Sequence, residues 1–217
     1  MNEISNKILT KKELHKFVNN KILDLGINLS DIDNYKINSK EVAHKICKNL
    51  NIEYINFNEI KICGILYKGT NTTTIGLNSK RSEKGQNFDC AHEIMHYLLH
   101  ESNIFYCNEK NNNHFEWQAN EGAAQLLMPY QVFIPKFLKM ALIMHDFYRY
   151  EDVFLNKLTE HLSYNFNVGN LAIENRIKNL KNEIFDYAKN NCINIKKIIP
   201  ITNQNLNRKK DSFSYVI

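Results

Sequence analysis

The clearest chemistry in the chain lies in five consecutive residues, His92-Glu93-Ile94-Met95-His96. On a helix of 3.6 residues per turn, His92 and His96 sit one turn apart and about 40° around the axis, so both imidazoles can converge on one ion. Glu93 points to the neighbouring flank, close enough to reach a water on that ion but poorly placed to ligate it. Two nitrogen ligands, a carboxylate base and an open position are what hydrolytic zinc chemistry requires. A metal so held lowers the pKa of its water from ~15.7 towards ~7. Glu93 would then take the proton and return it to a leaving amine.

Two histidines hold zinc weakly, so a third ligand is expected downstream. The next helical stretch offers Glu116 and Glu121, with His114 just ahead of it. Glu116 is favoured because Asn120 follows one turn later on the same face, where its amide could hydrogen-bond a ligating imidazole and fix its tautomer. Zinc is the expected ion, and manganese or iron would suit the same ligands. Tyr97, His114, Tyr130, His145 and Arg176 have side chains able to stabilise an oxyanion, although each reads more readily as structural. His100 would be a third ligand on one straight helix face, and is read instead as a supporting or surface residue. Cys90 projects to nearly the opposite side of the helix and is read as core.

These residues need elements to position them. Thr10-Lys11-Lys12-Glu13 is a capping box and Gly26 a stop, which predicts a first helix between them. Ser39 is read as the cap of a second helix, with Val42, Ile46 and Leu50 on one face. Three β-rich runs follow at 52–57, 62–67 and 73–77, the last two joined by the turn Lys68-Gly69-Thr70-Asn71-Thr72. Short connections predict a small, mostly antiparallel sheet of about three strands. After the polar break 79–85, helices are predicted over 87–100 and 115–127, the second closed by Pro129. The remainder to about 180 reads as helical, with a break at Asn165-Phe166-Asn167-Val168-Gly169. The strand at 73–78 leads towards the metal helix, and is read either as a substrate-pairing edge strand or as an exposed hairpin strand. The class is therefore α+β: a small sheet packed with helices including the metal helix, then a helical, helix-turn-helix-like subdomain. The expected divisions are 1–129 for the catalytic domain with its N-terminal helices, 130–185 for the helical subdomain, and 186–217 for a partly disordered extension with a loose polar tail at 203–212.

Ala91-His92-Glu93-Ile94-Met95-His96-Tyr97-Leu98-Leu99-His100, followed by Glu116-Trp117-Gln118-Ala119-Asn120-Glu121-Gly122-Ala123-Ala124-Gln125-Leu126-Leu127-Met128-Pro129, resembles the ImmA/IrrE family of metallopeptidases. The family pattern is His-Glu-x-x-His, then Glu-x-x-Ala-Asn, small residues and Leu-Leu-Met-Pro. Val168-Gly169-Asn170-Leu171-Ala172 with Arg176 and Leu180 resembles its later segment, and the likeness spans roughly 52–180. The resemblance implies a thermolysin-like arrangement with His92, His96 and Glu116 as ligands and Glu93 as base. Met95 departs from a common small residue, which is read as a packing change. Gln118 departs from a common second glutamate, which supports Glu116 as the ligand. The family role implies a site-specific protease whose partner is a helix-turn-helix repressor, cleaved to relieve repression of a mobile element or stress regulon.

A competing reading is a DNA-binding regulator, or an interaction protein with a vestigial peptidase fold. Residues 158–180 have helix, short turn, helix spacing. The second of those helices carries Glu174 beside only Arg176 and Lys178, a thin basic face, so a substrate-recognition or packing role is favoured over DNA. Intact Glu93 argues against the vestigial reading.

Composition sets the outer bounds. At 217 residues and 43% hydrophobic, the chain can bury a core. Twenty-eight basic against 23 acidic side chains give +5, far from the basic stripe that nucleic-acid binding demands. The five cysteines include no Cys-x-x-Cys pair, which argues against a disulfide framework or thiolate zinc site and suits a reducing compartment. No apolar run approaches the ~20 residues of a membrane span, and the first residues lack a signal pattern. The expectation is a cytoplasmic protein without membrane contact.

Overall fold

Thr10 starts the first helix as its sequence predicts. Its hydroxyl oxygen accepts the Glu13 N–H at 3.3 Å while the Glu13 carboxylate accepts the Thr10 N–H at 2.9 Å. The helix α1 (Lys11–Asp24) buries Leu14, Val18 and Ile22 along one face, and Gly26 follows its end with φ +75°. The computed structural model describes residues 7–57, 62–101, 104–108, 114–145 and 151–190, with backbone alone for 104–108 and 151. The polar tail expected at 203–212 lies outside these residues.

Helix α2 (Ser39–Ile46) is capped one residue earlier than expected, by Asn38, whose side chain accepts the Lys40 N–H. Ser39 turns inward instead. Its hydroxyl donates to the Asn87 backbone oxygen at 2.7 Å and its N–H to Asn87 Oδ1 at 2.8 Å. Strands β1 (Leu50–Ile55), β2 (Ile62–Lys68) and β3 (Thr73–Asn78) precede the metal helix α3 (Glu83–Leu99). Beyond it come β4 (Ile104–Asn108) and helices α4 (His114–Leu127), α5 (Tyr130–His145), α6 (Glu151–Phe166), α7 (Asn170–Asn179) and α8 (Lys181–Asn190). The fold is α+β.

Among the described residues the sheet has four strands in the order β1-β3-β2-β4. β2 pairs antiparallel with β3 and β4, whereas β1 pairs with β3 in parallel. That parallel pairing corrects the expectation for residues 73–78. β3 is an interior strand, paired on both sides and largely buried, and therefore neither an edge that could accept a peptide nor an exposed hairpin strand. Gly76 at its middle shows why the packing closes: a Cβ there would stand 2.6 Å from both Ile55 on β1 and Ile65 on β2. The fourth strand was not foreseen from sequence.

α3 packs on β2 and β3 on one side and lies against α4 on another, with α1 behind α4. One continuous set of buried side chains runs from Leu14 and Val18 through Ile94, Met95, Ala123 and Leu127 to Leu158, Phe166 and Leu180. Among the described residues, no single helix is long and apolar enough to cross a membrane.

Candidate metal centre

α3 begins a turn earlier than the sequence suggests, because Ser82 caps it and accepts the Gly85 N–H at 3.2 Å. From Gln86 to His96 nearly every residue is buried, so the motif sits in the middle of a core helix rather than on its surface. Two glycines make this close packing feasible. A Cβ on Gly122 of α4 would meet the Met95 sulfur at 2.8 Å, so the bulky Met95 fits against a residue with no side chain. A Cβ on Gly64 of β2 would meet Glu93 Oε1 at 2.6 Å, and its absence leaves the carboxylate room against the sheet.

His92, His96 and Glu116 come together across the α3–α4 contact, with ligand atoms all within 4.8 Å of one another. The two Nε2 atoms are 2.9 Å apart, and Glu116 Oε2 and Oε1 lie 3.3 and 3.5 Å from His92 Nε2 and His96 Nε2. Donors bound ~2.0–2.1 Å from a tetrahedral ion are about 3.3 Å apart, so these spacings suit a small divalent metal. His92 Nδ1 lies 3.0 Å from Asn120 Oδ1. An amide oxygen only accepts, so this nitrogen carries a proton and Nε2 is the atom left to face the cluster. The donor set fits a metal.

Electrostatics agree with that arrangement. Burial raises the Glu116 carboxyl, but hydrogen bonds from His92 and His96 outweigh it and hold the group down at about 2. Burial depresses both imidazoles, yet the two move oppositely. For His92 the Glu116 hydrogen bond and the Glu93 carboxylate overcome burial and raise its pKa. For His96 burial prevails, aided by the neighbouring His92 charge, and the pKa falls. The cluster thus holds an ionised carboxylate beside two rings that cannot both be cationic.

The other sequence candidates separate cleanly. Asn120 joins the cluster, whereas Glu121 faces away and meets His15 Nε2 at 2.6 Å and Arg176 Nη1 at 2.9 Å. His114 begins α4 and is not in the ligand group. A cavity of about 560 Å³ opens beside His92 and Glu116, lined also by Glu93, Trp117, Leu171 and Asn175 among others. Arg176 is the one oxyanion candidate on this lining among the described residues, and its guanidinium is buried against Glu121. Tyr97 lies beneath the Lys68 ammonium and Tyr130 stacks on His15 at 5.5 Å between ring centroids. His145 ends α5. Cys90 is fully buried. His100 is neither surface nor ligand: its Nδ1 lies 2.9 Å from His96 Nδ1.

Sequence reasoning missed Arg81 and Asp89, an ion pair at 2.5 Å on the same lining, with the Asp89 carboxyl pushed up to about 6 by burial. It also missed Gly64, although a glycine inside a β-rich run is a signal of close approach.

A model of the IrrE N-terminal-like peptidase domain matches residues 41–178 of the chain. The chain belongs to the ImmA/IrrE metallopeptidase family. No curated protein matches it. As an ImmA/IrrE member it is of a peptidase type that works with a metal ion, and His92, His96 and Glu116 are where its residues fit one. The matched span holds the trio, Asn120 and Glu93, while α1 and α8 of this ImmA/IrrE protein lie outside it.

Proposed function

We propose that the protein is a zinc-dependent endopeptidase that makes a site-specific cut in a helix-turn-helix transcriptional repressor, relieving repression of a mobile element or stress regulon. The observation that carries the hydrolytic reading is the convergence of His92, His96 and Glu116, with His92 and Glu116 lining the same cavity as Glu93. A bound divalent metal would supply an acidified water and a polarised carbonyl. His92 and His96 would hold it from one helix and Glu116 from the next, with Asn120 fixing the His92 tautomer. Glu93, buried and seated over Gly64, would take the proton from the water and pass it to the leaving amine.

Helix α7 also lines the cavity, contributing Leu171, Ala172 and Asn175. Apolar surface beside amide groups suits an extended peptide. It also weighs against DNA as the ligand of this helix, since Arg176 is 1% exposed and engaged with Glu121, thinning an already sparse basic face. The repressor as target comes by analogy with the family.

The test is to incubate the zinc-loaded protein with a helix-turn-helix repressor encoded beside it. One defined cut is expected, slowed about 10²–10⁴-fold by Glu93→Gln, which keeps its metal. Wild-type-like cleavage by Glu93→Gln would overturn the mechanism. An intact repressor alongside hydrolysis of other peptides would overturn the target. Salt-dependent duplex binding that a change at the exposed Lys178, Lys178→Ala, weakens would favour the DNA-binding reading instead.

A further inference from the structure

The cavity beside the metal cluster carries a cation that the hydrolytic reading does not use. On α3, Gly85, Phe88, Asp89, His92 and Glu93 all line it, at a helical spacing that sets them along one face. Arg81, also on the lining, stands just before the Ser82 cap at the start of that helix. Its Nε donates to Asp89 Oδ2 at 2.5 Å. The guanidinium lies across Gly85, where a Cβ would be 3.6 Å from Nε and Nη2. The backbone beneath it is tied down. The Arg81 N–H donates to Asn78 O at 3.2 Å, and the buried Gln86 amide donates to the backbone oxygens of both Asn78 and Arg81. The partners differ in exposure: the Asp89 side chain is 4% exposed and that of Arg81 35%. Among the described residues, Arg81 and Arg176 are the cationic side chains on the lining. Arg176 is closed off, bound to Glu121, Gln125 and the Met128 carbonyl.

We infer that Arg81 is a specificity-determining residue, selecting an aspartate or glutamate side chain of the substrate within about three residues of the scissile bond. The inference rests on reading the site as a peptidase centre. Asp89 precedes His92 and Glu93 by about one turn, which places it about 5 Å along the helix from the metal cluster. Its bond to Arg81 carries the guanidinium a little further. An extended peptide advances about 3.3 Å per residue, so a chain laid across the cluster meets Arg81 two or three residues from the bond that is cut. The Asp89 bond uses one of the five guanidinium N–H donors, and the planar fork suits a carboxylate held by two parallel N–H groups. Being almost wholly buried, Asp89 offers little to an incoming side chain, which meets the cation instead. A lysine or arginine at the same substrate position would meet like charge. Asp89, Gly85 and Gln86 hold the fork in place before substrate arrives, so little freedom is lost on binding.

The experiment maps cut sites by mass spectrometry after the zinc-loaded, full-length protein has acted on a proteome-derived peptide library and on the repressor encoded beside it. Aspartate or glutamate is expected at one fixed position within about three residues of the cut. For one sequence so cut, kcat/KM is then compared with that of a counterpart carrying the corresponding amide at that position. The wild type is expected to favour the acid about 10–100-fold. Arg81→Gln should bring the ratio close to unity. Arg81→Lys keeps the charge without the fork, and its ratio should fall between the two. Both peptides meet the same enzyme, so the ratio is unaffected by any loss of folded protein when Asp89 is left without its cation. A purely structural Arg81 would slow both peptides alike, and an unchanged ratio in Arg81→Gln would overturn the inference. Cut sites with no acidic residue at a fixed position would overturn it as well. A wild type that cuts neither the library nor the repressor would overturn the peptidase reading beneath it, a result distinct from either.

Discussion

Glu116 and Glu121 stand on successive turns of α4, both meet histidine, and they build opposite kinds of site. Glu121 is 4% exposed, and its counter-charge is built into the protein. Arg176 donates to it, with the remaining guanidinium nitrogens donating to Met128 O and Gln125 Oε1, and His15 reaches it from α1. The neighbouring Lys11–Glu183 pair at 2.8 Å ties α1 to α8 beside it. Glu116, 13% exposed at the side chain, meets two imidazoles and opens on the cavity. Imidazoles carry charge only if protonated, so a proton or a metal must complete that site. An arginine cannot be displaced by a metal, because it has no lone pair to offer and does not deprotonate. Whether a buried carboxylate clamps helices or awaits an ion is thus decided by whether its partners are permanently charged.

Substitutions at the two sites should separate their roles. The largest effect on the fold should come from Arg176→Ala, which leaves Glu121 buried without its cation. Denaturant unfolding should show a loss of about 3–5 kcal/mol, while the protein that remains folded keeps its metal. Asn120→Ala should do the reverse. Its residue is exposed, so stability should change by less than about 0.5 kcal/mol. Chelator competition should nonetheless show metal held about 10–100-fold more weakly.

The pH dependence of stability should report the clamp. Burial raises the Glu121 carboxyl, but the His15 hydrogen bond and the Arg176 charge outweigh it and hold the folded group at about 2, against 4.5 when unfolded. A folded pKa below the unfolded one gives stability that is present above pH 4.5 and lost as the pH falls towards 2. Urea midpoints at about pH 3.5 and pH 7 should therefore differ less in Glu121→Gln than in the wild type. An unchanged difference would mean that other carboxylates carry the acid limb.

The two glutamates also differ in how far the sequence discloses them. Glu116 is legible because its signals are local: His92 and His96 one turn apart, and Asn120 one turn beyond Glu116. The Glu121 clamp rests on His15, 106 residues away, and on Arg176, 55 residues away, and nothing near either announces the pairing. For the same reason Gln118 reads from sequence as a mere departure from a family pattern, when its partner Leu9 lies 109 residues off. The capping box at Thr10 is legible, whereas Ser39 reads as a cap although its hydroxyl is drawn to Asn87, a contact across 48 residues. In the sheet, the β2–β3 hairpin follows from its turn, whereas the parallel pairing of β1 follows from no local rule. β4, five residues between polar stretches, is too short for alternation to reveal.

The most direct test of the contrast is the metal content of three purified proteins, measured by elemental analysis after dialysis against excess zinc: wild type, Glu116→Ala and Glu121→Gln. About one zinc per chain is expected in the wild type and in Glu121→Gln, and none in Glu116→Ala. Zinc retained by Glu116→Ala and lost from Glu121→Gln would contradict the assignment of the site.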